Sequence, residues 1–180
     1  MIISSHFVTL DGVIGSPEQW HPAFMSPESI DVMLTQLARA DGLLLGRRTF
    51  EEFAAYWPRQ GDDVMAAKET NAIRKYVVSS TLSDPDWGPT EVLAGDPVRS
   101  VNTLTEPGLT LWLTGGRLTR TLLAAGMIDE VQFYLDPFVA GHGLRLFDGL
   151  HAQLRLELAQ CTQLPNGVLH LVYGPGGPTK

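Results

Sequence analysis

Two short segments hold residue types that bind anions at close range. In Leu45-Gly46-Arg47-Arg48-Thr49, and again in Leu113-Thr114-Gly115-Gly116-Arg117-Leu118-Thr119, an apolar run meets glycine, then arginine, then a stretch of helical character. Glycine lets backbone come close to a ligand, and a helix starting there presents unpaired N–H groups at the positive end of its dipole. Such a turn suits phosphate, and arginine adds bidentate hydrogen bonds. Four of the 13 basic residues (Arg47, Arg48, Arg117 and Arg120) lie in or just after these turns. In a chain of net charge −7, that concentration points to a phosphorylated ligand. Either turn alone fits a plain tight turn with solvated arginines equally well. Two of them on predicted neighbouring strands favour binding. Neither matches G-x-G-x-x-G or the G-x-x-x-x-G-K-[ST] phosphate loop.

The elements that must hold these turns follow from periodicity. Residues 1–9 read as a strand ending at Leu10-Asp11-Gly12, and residues 15–25, with two prolines and two aromatics, as a loop. Ser26 offers an N-cap with Pro27 at the first helical position, and Ile30, Met33, Leu34, Leu37 and Ala38 recur at helical spacing. Leu43-Leu44-Leu45 predicts a strand covered on both faces. Phe50, Phe53, Ala54 and Trp57 predict a helix that Pro58 stops, with one more short helix in 59–72. Further strands are expected at 76–78, near 91–94 and at 109–113, with helices from about Pro97 and over 117–125, the latter capped by Gly126. Val131, Phe133 and Leu135, then Leu154, Leu156 and Leu158, then 168–173 read as antiparallel strands, with Asn166-Gly167 at or near the turn. The pattern predicts an α/β fold: a mostly parallel central sheet, helices on both faces and an antiparallel C-terminal edge. One domain is expected over 1–174, with a loose tail at 175–180.

Composition narrows the partners. A hydrophobic share of 44% supports a packed core, and acidic residues outnumber basic ones 20 to 13, which argues against nucleic acid or anionic membrane. No apolar run approaches the roughly 20 residues that span a bilayer, and no leader pattern opens the chain, so a cytoplasmic location is expected. Cys161, the one cysteine, forms no internal disulfide and reads as a small buried hydrophobe. The five histidines lack ligand spacing, so no metal is expected.

The order of motifs carries a resemblance. Thr9-Leu10-Asp11-Gly12-Val13-Ile14-Gly15, Gly46-Arg47-Arg48-Thr49, Val78-Ser79-Ser80 and Gly115-Gly116-Arg117 together resemble the dihydrofolate reductase fold. Ile128-Asp129-Glu130-Val131, and Pro137 to Gly141 running on to Leu146-Phe147, are more similar to the reductase domain at the C-terminus of the bifunctional riboflavin-biosynthesis deaminase-reductase. The resemblance spans roughly residues 2–173. It implies NADPH as cofactor. Val13, Ile14 and Gly15 would flank the nicotinamide; Arg47, Arg48 and Thr49 would meet the pyrophosphate and the adenosine 2′-phosphate; Ser79 and Ser80 would add hydroxyls there. Gly115, Gly116, Arg117 and Leu118 would lie against the pyrophosphate and nicotinamide side. A homodimer is expected by the same analogy. The deaminase half requires cysteine and histidine zinc ligands, which one cysteine cannot supply, so only the reductase step is possible.

Hydride transfer to a C=N or C=O carbon of a small pteridine-like or ribosylaminopyrimidine-like molecule requires a proton donor. Three carboxylates stand near the implied pocket: Asp11, then Glu28, then Asp31. Each has a structural alternative, Asp11 as a turn cap and the other two as partners of the helix dipole. Trp20 and Phe24, with His21 between them, lie in the long loop, where aromatics stack on a flat heterocycle or simply pack. The contrasting reading is a dinucleotide-binding or sensor module without turnover.

Overall fold

Apolar and β-branched residues make the first strand, β1 (Ile2–Thr9), and it is buried almost from end to end. A computed structural model of the chain describes residues 1–62, 64–105, 108–151 and 153–176. After β1 come α1 (Pro27–Leu37), β2 (Gly42–Gly46), α2 (Arg47–Tyr56), α3 (Ala67–Ala72), β3 (Arg74–Val78) and β4 (Thr90–Leu93). Then follow α4 (Pro97–Thr105), β5 (Leu111–Thr114), α5 (Gly116–Ala124), β6 (Glu130–Asp136), β7 (Leu156–Gln163) and β8 (Leu169–Pro175). The strands form one eight-stranded sheet in the order β4-β3-β2-β5-β1-β6-β8-β7. The first six strands pair in parallel, and β8 and β7 close the edge antiparallel.

Alternation along β2 shows how the core divides. Leu44 joins Ile2, Leu111, Leu113 and Val131 under α4 and α5, while Leu43 and Leu45 pack with Ile3, Phe50, Val77 and Trp112 on the opposite face. Both faces are therefore covered, as a continuous Leu run requires. The Ser26 cap forms as expected and is reciprocal: Ser26 Oγ accepts from the Ser29 N–H, and Ser29 Oγ accepts from the Ser26 N–H. At Asn166 and Gly167, φ values of 59° and 80° turn the chain between β7 and β8.

Several local expectations change. Residues 15–25 contain two single 3₁₀ turns, Pro17–Gln19 and His21–Phe24. On α1 the buried positions are Ser29 and Leu37, while Ile30, Met33 and Leu34 are half-buried and Ala38 is exposed beyond the helix. Leu154 precedes β7 rather than lying in it. Cys161 is exposed, because β7 is the edge strand and its residues 157–161 face solvent on both sides. Residues 175 and 176, expected in a loose tail, are ordered: Pro175 ends β8, and the Gly176 N–H donates to the Arg155 carbonyl at 2.8 Å. Residues 177–180 lie outside the described residues. No helix among the described residues is long and apolar enough to cross a membrane.

Polar groups inside the sheet fix the start of α5. His6, in the middle of β1, has Nε2 2.8 Å from Ser4 Oγ and 3.3 Å from Thr119 Oγ1. The Thr119 hydroxyl proton goes to the Gly115 carbonyl at 2.8 Å, so strand and turn are tied through one side chain. Burial pushes the His6 imidazole down to about 4. As pH falls below about 6.5, the unfolded chain takes up a proton that the folded chain refuses until about pH 4. Stability should therefore drain across that window, by about 3 kcal/mol if the site stays dry. Urea unfolding at about pH 7 and about pH 4.5 checks this. His6→Gln should flatten the dependence, and an equal acid loss in both proteins would refute the assignment.

Candidate functional site

Because β2, β3 and β5 run parallel, their carboxyl ends meet at one edge, with Leu45 opposite Thr114 and Gly46 opposite Val78. Beyond that edge the two glycine turns interlock. A Cβ built on Gly115, which has φ +94°, would collide with Thr49 Oγ1, and one on Gly46 would lie 3.9 Å from Leu118 Cβ. Helices α2 and α5 begin directly at Gly46 and Gly115, and neither N-terminus has a side-chain cap. Their first N–H groups thus converge on one place with a partial positive charge.

The arginines divide. Arg47 pairs with Glu51 at 2.8 Å on the exposed face of α2. Arg48 and Arg117 are exposed and have no side-chain partner among the described residues. Arg120 turns inward: its Nη1 donates to the carbonyls of Arg145 and Leu146 at 3.2 and 3.3 Å. Ser79, at the end of β3, accepts from the N–H groups of Thr81 and Leu82 and keeps its own proton to donate, and Ser80 is exposed.

The segment from Leu10 to Gly15 lies beyond β1 and is gripped by residues 138–146. Leu10 donates to the Phe138 carbonyl, Ile14 and Gly15 donate to that of Leu144, and Val13 bridges to Arg145. Val13 is buried, and Ile14 is half-buried against Gly116. Asp11 is the clasp. Its carboxylate accepts from Thr9 Oγ1 (2.6 Å), from the N–H groups of Ala140 (3.0 Å) and Gly141 (2.9 Å), and from Arg145 (3.2 Å). The Thr9 hydroxyl first, then the Ala140 and Gly141 N–H groups, pull its pKa down to about 2. Asp11 is therefore ionised at neutral pH with both oxygens engaged. In this structure Asp11, expected near the reacting ring, holds a loop.

The other expected groups change role too. Glu28 sits exposed in the first turn of α1, its carboxyl held below the usual range by its own N–H and by Ser26, so it completes the helix terminus. Asp31 is exposed one turn further on. Trp20 is buried, donates Nε1–H to the Gly15 carbonyl at 3.1 Å and packs against Phe138, so it braces the loop rather than offering a free ring face. Phe24 is half-buried against the same Phe138.

One pairing escaped the sequence. His21 Nδ1 lies 2.7 Å from Asp136 Oδ2, with the histidine 6% exposed and the aspartate fully buried. Asp136 ends β6 directly opposite Thr9, so the pair stands beside the end of β1. The only hints were a histidine after Trp20 and an acid closing an alternating strand, 115 residues apart.

The RibD C-terminal domain family matches residues 1–170, and the chain belongs to it. It is 30% identical over 179 residues to the uncharacterised protein YyaP of Bacillus subtilis (strain 168), covering 96% of this chain and 93% of that one. Among solved structures, a candidate riboflavin biosynthesis protein of Shewanella sp. PV-4 superposes with a TM-score of 0.81 at 21% identity, over 98% of this chain and 99% of the other. A deaminase/5-amino-6-(5-phosphoribosylamino)uracil reductase of Thermotoga maritima gives 0.69 at 15% identity, over 98% of this chain and 56% of that one. Dihydrofolate reductase from Enterococcus faecalis, complexed with NADP(H), gives 0.65 at 16%, over 98% and 97%. The fold is thus the mixed α/β fold of dihydrofolate-reductase-like reductases.

The glycines of the two turns are unequal. A Cβ on Gly116 would come 2.8 Å from Ile14 Cδ1 and 3.3 Å from Arg120, whereas on Gly46 it meets only Leu118 Cβ at 3.9 Å. Gly116→Val should lower the thermal midpoint by several degrees through overpacking, typically about 1–3 kcal/mol, while Gly46→Ala should leave it nearly unchanged. Calorimetric melting of both variants checks this, and equal midpoints would contradict the packing described.

Proposed function

We propose that this protein is an NADPH-dependent reductase, transferring hydride to the C=N or C=O carbon of a small, flat, polar substrate of the pteridine or ribosylaminopyrimidine kind. The observation that carries the reading is the pair of uncapped helix N-termini, α2 and α5, side by side beyond β2 and β5. Open α/β sheets bind ligands at such carboxyl edges. The family, and the reductase and NADP(H) complex among the structural neighbours, support the same reading.

A dinucleotide fits the residues present. No side chain closes either helix, and the missing Cβ of Gly46 leaves space over the turn. The N–H groups of Arg47, Arg48 and Thr49, and of Gly116, Arg117 and Leu118, would hold the pyrophosphate. With β3 next to β2, Ser79 and Arg48 would meet the 2′-phosphate, joined by Arg47 once it leaves Glu51. On the other flank, beyond β1, Val13, Ile14 and Gly15 would lie on the nicotinamide side. Bound there, the dinucleotide supplies the hydride. The chain's own work is orientation and exclusion of water, for which the Asp11 clasp fixes the Val13–Gly15 backbone and Trp20, Phe24 and Phe138 form one wall. The engagement of Asp11 and Glu28 in structural contacts is what favours the second reading, a dinucleotide-binding sensor without turnover. Incubation with NADPH and a panel of pterins and flavin precursors, followed at the nicotinamide absorbance, separates the two: consumption supports the reductase, and binding without consumption the sensor.

Wild-type protein should bind NADPH more tightly than NADH. Arg48→Ala should weaken NADPH by roughly ten- to a hundred-fold, the worth of one charge-assisted hydrogen bond. Arg47→Ala should cost less, because its guanidinium must first give up Glu51. Isothermal titration of both cofactors measures this, and equal wild-type affinities would overturn the 2′-phosphate assignment.

A further inference from the structure

We propose that His21, oriented by Asp136, delivers the proton that accompanies hydride transfer, an inference that rests on the reductase reading above. The geometry is that of a carboxylate-held imidazole with one working nitrogen. A hydrogen bond from ring to carboxylate requires the proton on Nδ1, which leaves Nε2 as the site that gains and loses a proton. Nε2 has no partner among the described residues and is not among the polar atoms sealed from solvent. The ring plane is fixed by stacking on Phe7, centroids 3.6 Å apart and planes 20° from parallel, with Trp20 edge-on at 6.2 Å.

Position supports the role. In the sheet, β1 lies between β5, which carries one glycine turn, and β6, which ends in Asp136. By register the Gly115 turn lies level with the middle of β1 and Asp136 with its last residue, Thr9, so the turn and the pair stand about 10 Å apart across the sheet and about 10 Å along it, roughly 14 Å in all. Trp20, the residue before His21, is bonded to Gly15 of the segment assigned to the nicotinamide side.

A purely structural strut accounts less well for what is buried. Asp136 is fully buried with Oδ1 unpartnered, and a buried carboxylate oxygen without a donor is costly. Tyr134 Oη and His170 Nδ1 are also sealed and unpartnered, so three of the four such atoms among the described residues lie along β6 and β8 on the face toward α1. Unsatisfied polar groups gathered in one place mark a site completed by something else.

The chemistry balances as follows. Hydride from the reduced nicotinamide forms the new C–H bond, the π pair of C=N or C=O moves to nitrogen or oxygen, and that atom takes the proton from His21 Nε2–H. Oxidised cofactor, reduced substrate and neutral His21 result, and the imidazole regains its proton from water. His21 is then a catalytic residue and Asp136 a positioning residue.

Nitrogen-15 spectra of histidine-labelled protein test this, with NADP⁺ and then pterin as the probes. Failure of NADP⁺ to bind the wild type would overturn the reductase reading itself. In the loaded protein, the His21 Nε2 resonance should shift on adding pterin while Nδ1–H persists, and Asp136→Asn should lose that tautomer preference. An Nε2 signal unmoved by pterin at its solubility limit overturns the proposal. With NADPH and dihydropterin, His21→Gln should lower turnover by roughly 10²–10⁴-fold at unchanged KM and NADPH affinity. Added imidazole should restore part of the activity of His21→Ala, which a packing role would not allow. Wild-type turnover in His21→Gln would equally refute the assignment.

Discussion

The parallel pairing of β1 with β5 on one side and β6 on the other is the constraint on which the rest depends. Parallel strands leave the sheet at the same edge, so register brings the turns after β2 and β5 together and sets the ends of β1 and β6 side by side a few residues beyond them. That register is specified by burial: Ile2 and Ile3 are both almost fully buried on opposite faces, so a slip of one residue would move every side chain of β1 to the wrong side. Nothing at the candidate site has to be held by a long-range side-chain contact for the two glycine turns to meet. Their neighbouring strands already place them.

What the side chains add is the finer alignment. His6, Ser4 and Thr119 join the middle of β1 to the Gly115 carbonyl, and Asp11 joins the end of β1 to the 138–146 segment. A buried neutral imidazole and a part-exposed anion do this work by opposite means. His6 is kept uncharged by desolvation, while Asp11 is kept charged by the donors it gathers. Lys75, at the far end of the sheet, shows the same logic. It is fully buried, its Nζ donates to the Asn71 carbonyl and lies 4.3 Å from the Trp87 ring, and burial pulls its pKa down to about 8. Lys75 sits near the amino end of β3, away from the glycine turns, and its partners belong to packing rather than to the site.

The proposed site then has two halves with different physics. The phosphate half is made of backbone amides and exposed arginines, so it depends on helix geometry and on salt. The reacting half is a face of aromatic rings and partnerless buried polar atoms under α1, with His21 Nε2 at its open side, where a single proton position counts for more than in bulk water. The span of β1 separates them, which is the separation that a dinucleotide lying across the edge and a flat substrate beside it would need.

Local sequence determined the parts that depend on neighbours in the chain. Alternation and helical spacing gave the strands, the helices and their order, the Ser26 cap and the Asn166-Gly167 turn, because those features are set by periodicity and by φ preferences of single residues. The glycine–arginine turns were legible for the same reason, since a helix start exposes its N–H groups whatever surrounds it. Only tertiary structure decided what each polar side chain meets. Asp11, Glu28 and Arg120 looked available in the chain and are occupied in the fold, by Thr9 and the Ala140–Gly141 amides, by the terminus of α1, and by the carbonyls of Arg145 and Leu146. Cys161 looked apolar and is exposed, because its strand came to lie at the edge. The link between His21 and Asp136 carried no local signal. Their pairing arises from a loop folded against the end of β6, and a contact between residues so far apart in sequence is fixed by packing, which no window of neighbouring residues contains.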